Sequence, residues 1–406
     1  MVSKREGRLV RLQLLITPLI IVSTILLYHG CSTAYASGAE GGRTYQTAAT
    51  RLTDFGYKKI RMPPLPNLPA KDWFNINPDR GLNLKGKIVL IDFWDYTCVN
   101  CIRTLPYVEE WYKRYKKDGL VIIGVHSPEF AFAKKRANVA AAIKKFGITY
   151  PVVLDNNFDI WDRFGNEYWP AKYLFDKNGI LRYLHFGEGN YGNFEAAIQK
   201  LLKEKNPKVV LPPLMAPIRP TDVPGAVCYL TTPETYLGYE RGRIGNKGGY
   251  EKGKAFTYQP PAKIAKNRFY LSGKWKVEPQ YVQYAGTPGD GEIIINYIAA
   301  QANLVINPED SASSPKSSAV RNSNDPGDRL YVYQDGKPVP RQDRSRDLRV
   351  DSRGRTYIEV REPRMYYLID NKVYGRYVLT LKPTSDSFAA YSFTFVTACD
   401  KTASSK

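Results

Sequence analysis

"GKIVLIDFWDYTCVNCIRTLPYVEEWYKRYKKDG", residues 86 to 119, holds two elements and the junction between them. From Ile88 to Trp94 it is apolar at almost every position, as a strand buried on both faces requires. Beyond the junction, apolar residues recur at helical spacing at Cys101, Leu105, Val108, Trp111 and Tyr112. The helix is expected to stop in a basic turn at Gly119. Cys98 and Cys101 stand where strand hands over to helix, and one acid, Asp92, interrupts the apolar run.

A C-x-x-C pair can bind zinc, form a structural disulfide or exchange electrons. Zinc needs two further ligands. The chain has only His29, His126 and His185, and no second C-x-x-C. The two histidines inside this region read as structural, and no metal or cofactor is expected. Placement favours redox chemistry. At a helix N-terminus, unpaired N–H groups and the helix dipole favour an anion, so the Cys98 thiol is expected to ionise more readily than a free one. Cys101, about one turn on, can attack a mixed disulfide at Cys98. Asp92 beneath them is expected to be desolvated and to take the proton from Cys101.

Outward from this stretch, strand and helix alternate from 61 to 205. "LVIIGVHS" and "YPVVLD" read as buried strands, "NVAAAIKKFGI" and "NFEAAIQKLLKEK" as helices, and "PAKYLFDKNGILRYLHFGEG" as a hairpin turning at Asn178-Gly179. Such alternation predicts a mostly parallel sheet with helices on both faces. Residues 206–220 form a Pro-rich stretch, expected to be an extended, semi-rigid spacer. From 221 to 400 short runs rich in Tyr, Val and Ile alternate with turn residues, which predicts an all-β sandwich or barrel. "EDSASSPKSSAVRNSNDPGD" reads as a flexible loop within it, and 401–406 as a disordered tail. Cys228 and Cys399, near the two ends of this domain, are expected to form a structural disulfide.

The N-terminus has Lys4, Arg5, Arg8 and Arg11, then an apolar stretch from Leu12 to Leu27, then Ala34-Tyr35-Ala36. Residues 1–36 read as a signal peptide, an uncleaved membrane anchor, or a lipidation site at Cys31, followed by a linker over 37–60. Each option exports the rest of the chain to the periplasm or cell envelope, where thiols can be oxidised. The net charge of +20 is spread along the chain without a Lys/Arg block interleaved with stacking aromatics, which argues against a nucleic-acid partner.

Asp92 in "IDFW", Pro106 after Cys98, Pro170 in "YWPAKY" and the glycines of "FGEG" together resemble the thioredoxin superfamily. "TCVNCIRTLPYV", "GVHSPEF" and "NEYWPAKYL" are similar more specifically to TlpA/DipZ-type exported thiol–disulfide oxidoreductases. "TPETYLGYER" and "AYSFTF" resemble the β domain that follows the redox domain there. The resemblance implies a thioredoxin-like α/β fold, a central mixed sheet flanked by helices, followed by an all-β sandwich of jelly-roll or galactose-binding-like type. It implies a redox disulfide at Cys98 and Cys101 with Asp92 as acid/base, a cis-proline at Pro170, and substrate contacts at Trp169 and Glu188. Trp169 reads equally as a core aromatic, and Glu188 as a solvated turn acid. Protein thiols and disulfides are the implied substrates, with a membrane electron donor of the CcdA/DsbD type, so a reductase is expected. The membrane channel half of full-length DipZ is not in this sequence. Thr97 and the Val99-Asn100 dipeptide depart from thioredoxin, which leaves an oxidase direction open. A peroxiredoxin-like peroxidase shares this fold, but "DFWDYTCVNC" lacks the proline of P-x-x-x-[ST]-x-x-C. The tyrosines of the β domain could also recognise a glycan or a protein.

Overall fold

The computed structural model describes residues 60–66, 68–76, 81–287, 289–308, 328–385 and 389–400. The export segment, Cys31, nearly all of the 37–60 linker, the loop within the β domain except Asp328, and the 401–406 tail lie outside the described residues. Among the described residues no helix is long and apolar enough to cross a membrane.

The apolar run becomes β2 (Ile88–Trp94), buried at all seven positions, in a six-stranded sheet. Its companions are β1 (Trp73–Phe74), β3 (Leu120–His126), β4 (Val152–Leu154), β5 (Ala171–Phe175) and β6 (Leu181–Phe186), in the order β1-β4-β3-β2-β5-β6. Four helices accompany it: α1 (Val99–Tyr115), α2 (Arg136–Phe146), α3 (Asp159–Arg163) and α4 (Tyr191–Lys205). Only β2–β3 and β3–β4 pair in parallel, while β1, β5 and β6 join antiparallel. The expected mostly parallel sheet is therefore mixed, because the β5–β6 hairpin returns the chain directly instead of through a crossover helix. Helix α1 closes through a 3-10 turn onto Gly119, whose φ of 108° is one that a side chain disfavours.

Residues 206–220 are extended, but they are not a free spacer. The Met215 N–H donates to Glu195 of α4 (2.7 Å), the Ile218 N–H donates to the Tyr107 hydroxyl of α1 (2.7 Å), and Arg219 donates to the Arg103 carbonyl. The segment is a strap across both helices, because each buried polar group on them must find a partner.

Eleven strands of the second part form one sheet. The long strand Glu292–Asn307 pairs at its start with Phe269–Val277 and at its end with Ala389–Val396. Those two are bridged by Val282–Tyr284, so the sheet closes on itself around a core. Many of its tyrosines, among them Tyr258, Tyr284, Tyr297, Tyr366 and Tyr391, are core residues rather than surface. One compact unit takes in both halves of the described chain. Tyr391 from the β domain packs its ring on Phe130 (5.0 Å) and Phe132 (4.8 Å), and it shares one apolar cluster with Trp94 and Val108.

A disulfide joins Cys228 to Cys399, 171 residues apart in sequence. Closing so long a loop removes much unfolded-state entropy. Replacing both cysteines by serine is expected to lower the unfolding free energy by about 2–5 kcal/mol, read as a lower urea midpoint. An unchanged midpoint would contradict a stabilising role.

Candidate active site

Asp92 is 1% exposed, and neither of its carboxylate oxygens has a hydrogen-bond partner. In the sheet register it lies between Gly124 on β3 and Lys172 on β5. A Cβ at Gly124 would stand 2.9 Å from the Tyr150 ring and 3.1 Å from Trp94 Nε1, so packing next to Asp92 demands glycine. Burial raises the Asp92 carboxyl to about 7, while the Lys172 charge pulls it back down. Lys172 is fully buried, and its Nζ donates to the Gly187 carbonyl (3.1 Å). Burial lowers the lysine, against the pull of Asp92 and the two cysteines. A buried acid and a buried base thus share the ground beneath the dithiol.

The junction is organised by a second acid. Asp95 Oδ1 accepts from the Thr97 N–H (2.6 Å) and hydroxyl (2.5 Å), and Oδ2 accepts from the Glu129 N–H (2.9 Å). The Asp95 carbonyl accepts from the Cys98 N–H. Cys98 is the N-cap of α1, its Sγ accepting from the Cys101 N–H at 3.2 Å. Both cysteines are free thiols; Cys101 is buried at 1% exposure and Cys98 is partly exposed. Only Cys98 can therefore meet a macromolecular substrate first.

The surroundings of Cys98 oppose the expected ionisation. Burial pushes its thiol up, the contact with Cys101 pulls it down, and the nearby carboxylates of Glu129 and Glu234 push it up again. The helix N-terminus is opposed by desolvation and by negative charge that sequence position did not reveal. Cys101 is driven well above the ordinary thiol range by burial first and by Cys98 second.

The Trp169–Pro170 peptide is cis, and the Pro170 carbonyl accepts from the Gly187 N–H (2.7 Å). Trp169 lays its ring on Trp161 (4.2 Å) and donates from Nε1 to the Ser127 carbonyl (2.9 Å), so its side chain is built into the wall. The carboxylate of Glu188 is taken by Arg103 at 2.6 Å, and Arg103 also donates to Thr221 of the strap. Its ion pair ties the 187–189 turn to α1, where a solvated or groove-lining acid was expected. His126 is fully buried between Trp94 and Tyr96, and burial lowers it to about 3. Among the described residues no group of three or more His, Cys, Asp or Glu could hold a metal.

Sequence reasoning missed Lys172, Asp95 and Glu129. Lys172 had a signal, a lone cation inside the apolar strand "AKYLF" two residues past Pro170. Asp95 and Glu129 sit in loops, where an acid is ordinarily solvated, and nothing local marks them as buried.

The family described as "AhpC/TSA family" matches residues 70–184, and "Thioredoxin like C-terminal domain" matches residues 232–395. The chain is 42% identical over 243 residues to Protein DipZ of Mycobacterium tuberculosis, covering 58% of this chain and 33% of that protein. It thus spans about a third of the length of the DipZ proteins it matches. It is 32% identical over 147 residues to thiol-disulfide oxidoreductase YkuV of Bacillus subtilis, covering 36% of this chain and 98% of that one. A solution structure of a thioredoxin-like protein in the oxidized form aligns at 30% identity over 36% of this chain and 97% of the other, with a TM-score of 0.32.

Proposed function

The chain belongs to the thioredoxin-like thiol–disulfide oxidoreductases, and we propose that it is an extracytoplasmic reductase of protein disulfides working through Cys98 and Cys101. One observation carries the reading. Of two free thiols, the first is reachable at a helix start, and the second is buried and shares the buried Lys172 with an acid whose oxygens have no hydrogen-bond partner.

The steps follow from that arrangement. The Cys98 thiolate attacks a substrate disulfide, forming one S–S bond as the substrate's own breaks and its leaving thiolate takes a proton. Asp92, with a carboxyl near 7, accepts the Cys101 proton, and Lys172 steadies the carboxylate when it is free. The Cys101 thiolate then attacks Cys98, releasing the second substrate thiol and leaving a Cys98–Cys101 disulfide. Electrons return from a membrane thiol donor of the CcdA/DsbD type. An oxidising compartment is supported by the Cys228–Cys399 disulfide and by the export pattern in residues 1–36.

A reducing direction is favoured because burial of Cys98 outweighs its contact with Cys101, so the centre lacks the strongly stabilised thiolate that strong oxidants hold when reduced. The peroxidase reading would require an arginine at Cys98, and Arg103 is engaged by Glu188 and Thr221 instead. Peroxide consumption without a thiol partner would revive it. Recognition of a glycan or protein by the β domain would fall to exposed rings such as Tyr229, stacked on Tyr374 at 4.9 Å. Cys98→Ser is expected to abolish reduction of insulin disulfides by the full chain. Unchanged reduction by that variant would overturn the proposal.

A further inference from the structure

Arg103 on α1 stands where three segments meet. Its Nε donates to Glu188 at 2.6 Å, and its Nη2 donates to Thr221 of the strap at 2.7 Å. The next strap residue, Asp222, lies 4.0 Å from the same nitrogen. Asp222 is fixed in turn, accepting from the Tyr107 hydroxyl (2.8 Å) and from Arg219 Nε (3.0 Å). The guanidinium is thus held from the strap side and grips Glu188 on the other. Glu188 sits between Gly187 (φ 80°) and Gly189 (φ 88°), so its turn changes shape at little cost unless something outside holds it. Gly187 carries two contacts of the redox site. Its N–H donates to the Pro170 carbonyl at 2.7 Å, and its own carbonyl accepts from Lys172 Nζ at 3.1 Å.

Lys172 and Asp92 are register partners on adjacent strands, which puts both side chains on one face of the sheet. A buried ammonium and a buried carboxylate so placed would ordinarily close into an ion pair. These two do not. Neither Asp92 oxygen has a hydrogen-bond partner, and the ammonium is taken up by Gly187. We propose that Arg103 and Glu188 are positioning residues: their ion pair holds the Gly187 carbonyl in place, keeps Lys172 off Asp92 and so leaves the carboxylate free to take the Cys101 proton. This inference rests on the reductase reading and deepens it.

A carboxylate paired directly with an ammonium is a weaker base, because adjacent positive charge favours its ionised form. Holding Lys172 one hydrogen bond away keeps its charge in reach of Asp92 without that loss. The strap therefore reaches the proton acceptor through Arg103, Glu188, Gly187 and Lys172 in turn. The other titratable groups around the Asp92–Lys172 pair are Cys98 and Cys101 on α1, Tyr150 before β4 and His185 on β6.

The test is a single turnover of the reduced full chain with excess insulin across a pH series, read by mass spectrometry as formation of the Cys98–Cys101 disulfide. E188Q and R103Q each open the ion pair, which frees the turn and lets Lys172 close on Asp92. Both are expected to move the acid limb of the rate down by about one to two pH units and to slow the plateau. Charge without positioning predicts opposite movements: losing a carboxylate would lower the Asp92 carboxyl, and losing a guanidinium would raise it. In a K172M background E188Q is expected to add no shift, because the residue it acts through is gone. Glu188 is partly exposed, at 32%, so E188Q tests the proposal without a folding defect. An unmoved acid limb in E188Q, opposite movements in E188Q and R103Q, or a full E188Q shift retained in K172M would overturn the proposal. Failure of the reductase reading looks different: the parent itself would form no Cys98–Cys101 disulfide with insulin at any pH.

Discussion

Cys101→Ser is expected to stop turnover after one half-reaction and leave Cys98 covalently joined to its substrate. Cys101 is 1% exposed, and its backbone N–H already donates to Cys98 Sγ at 3.2 Å. It is therefore placed to resolve a mixed disulfide and is too buried to form one with a protein. Serine keeps the volume and the helix but cannot attack sulfur. Steady-state insulin reduction should fall at least about a thousandfold, as expected when a member of a cooperating catalytic set is removed. A Cys98–insulin species should appear on a non-reducing gel and vanish with dithiothreitol. Turnover above roughly a tenth of the parent's would show that Cys98 works without its partner, and the two-step route would fail.

Replacing the buried pair, as D92N/K172M, should trade activity for stability. The Asp92 carboxyl is near 7 in the fold and about 4 in an unfolded chain. Between those values the folded state binds the extra proton, so stability falls as pH rises through that window. Lys172 is lowered from its unfolded value of about 10.4. Its contribution runs the other way, and stability falls as pH drops below that value. At pH 7 both groups are held away from water in a conformation that suits neither charge. Neutral replacements of similar size should raise the unfolding free energy by about 1–4 kcal/mol there. The resolving step, deprived of its proton acceptor, should slow by about 10²–10⁴ and lose its pH dependence around 7. K172M alone leaves Asp92 without a counter-charge, so its carboxyl titrates higher and the acid limb of the rate moves up in pH. A double variant less stable than the parent at pH 7 with its rate intact would contradict the assigned role of the pair.

Much of this was legible in residues 86 to 119, because local rules act there. An apolar run, a C-x-x-C and a Gly119 stop specify strand, junction and helix within about 30 residues. Asp92 stood out because an acid in a buried strand needs a reason. Sequence was silent where partners come from far away. Lys172 meets Asp92 only through the β2–β5 register, 80 positions on. Glu129 meets Tyr236 across 107 positions, and the burial that opposes ionisation of Cys98 likewise depends on the packed fold and not on its place at the start of a helix. Residues 206–220 misled for the same reason. Proline content sets stiffness, but the contacts that turn a spacer into a strap belong to α1 and α4.

The direction of electron flow is tested most directly by equilibrating the full chain with glutathione redox buffers and reading the Cys98–Cys101 disulfide. A midpoint near that of thioredoxin, about −270 mV, is the result predicted for a thiol-held, reducing centre. A midpoint near −120 mV, the range of strong oxidants, would contradict it.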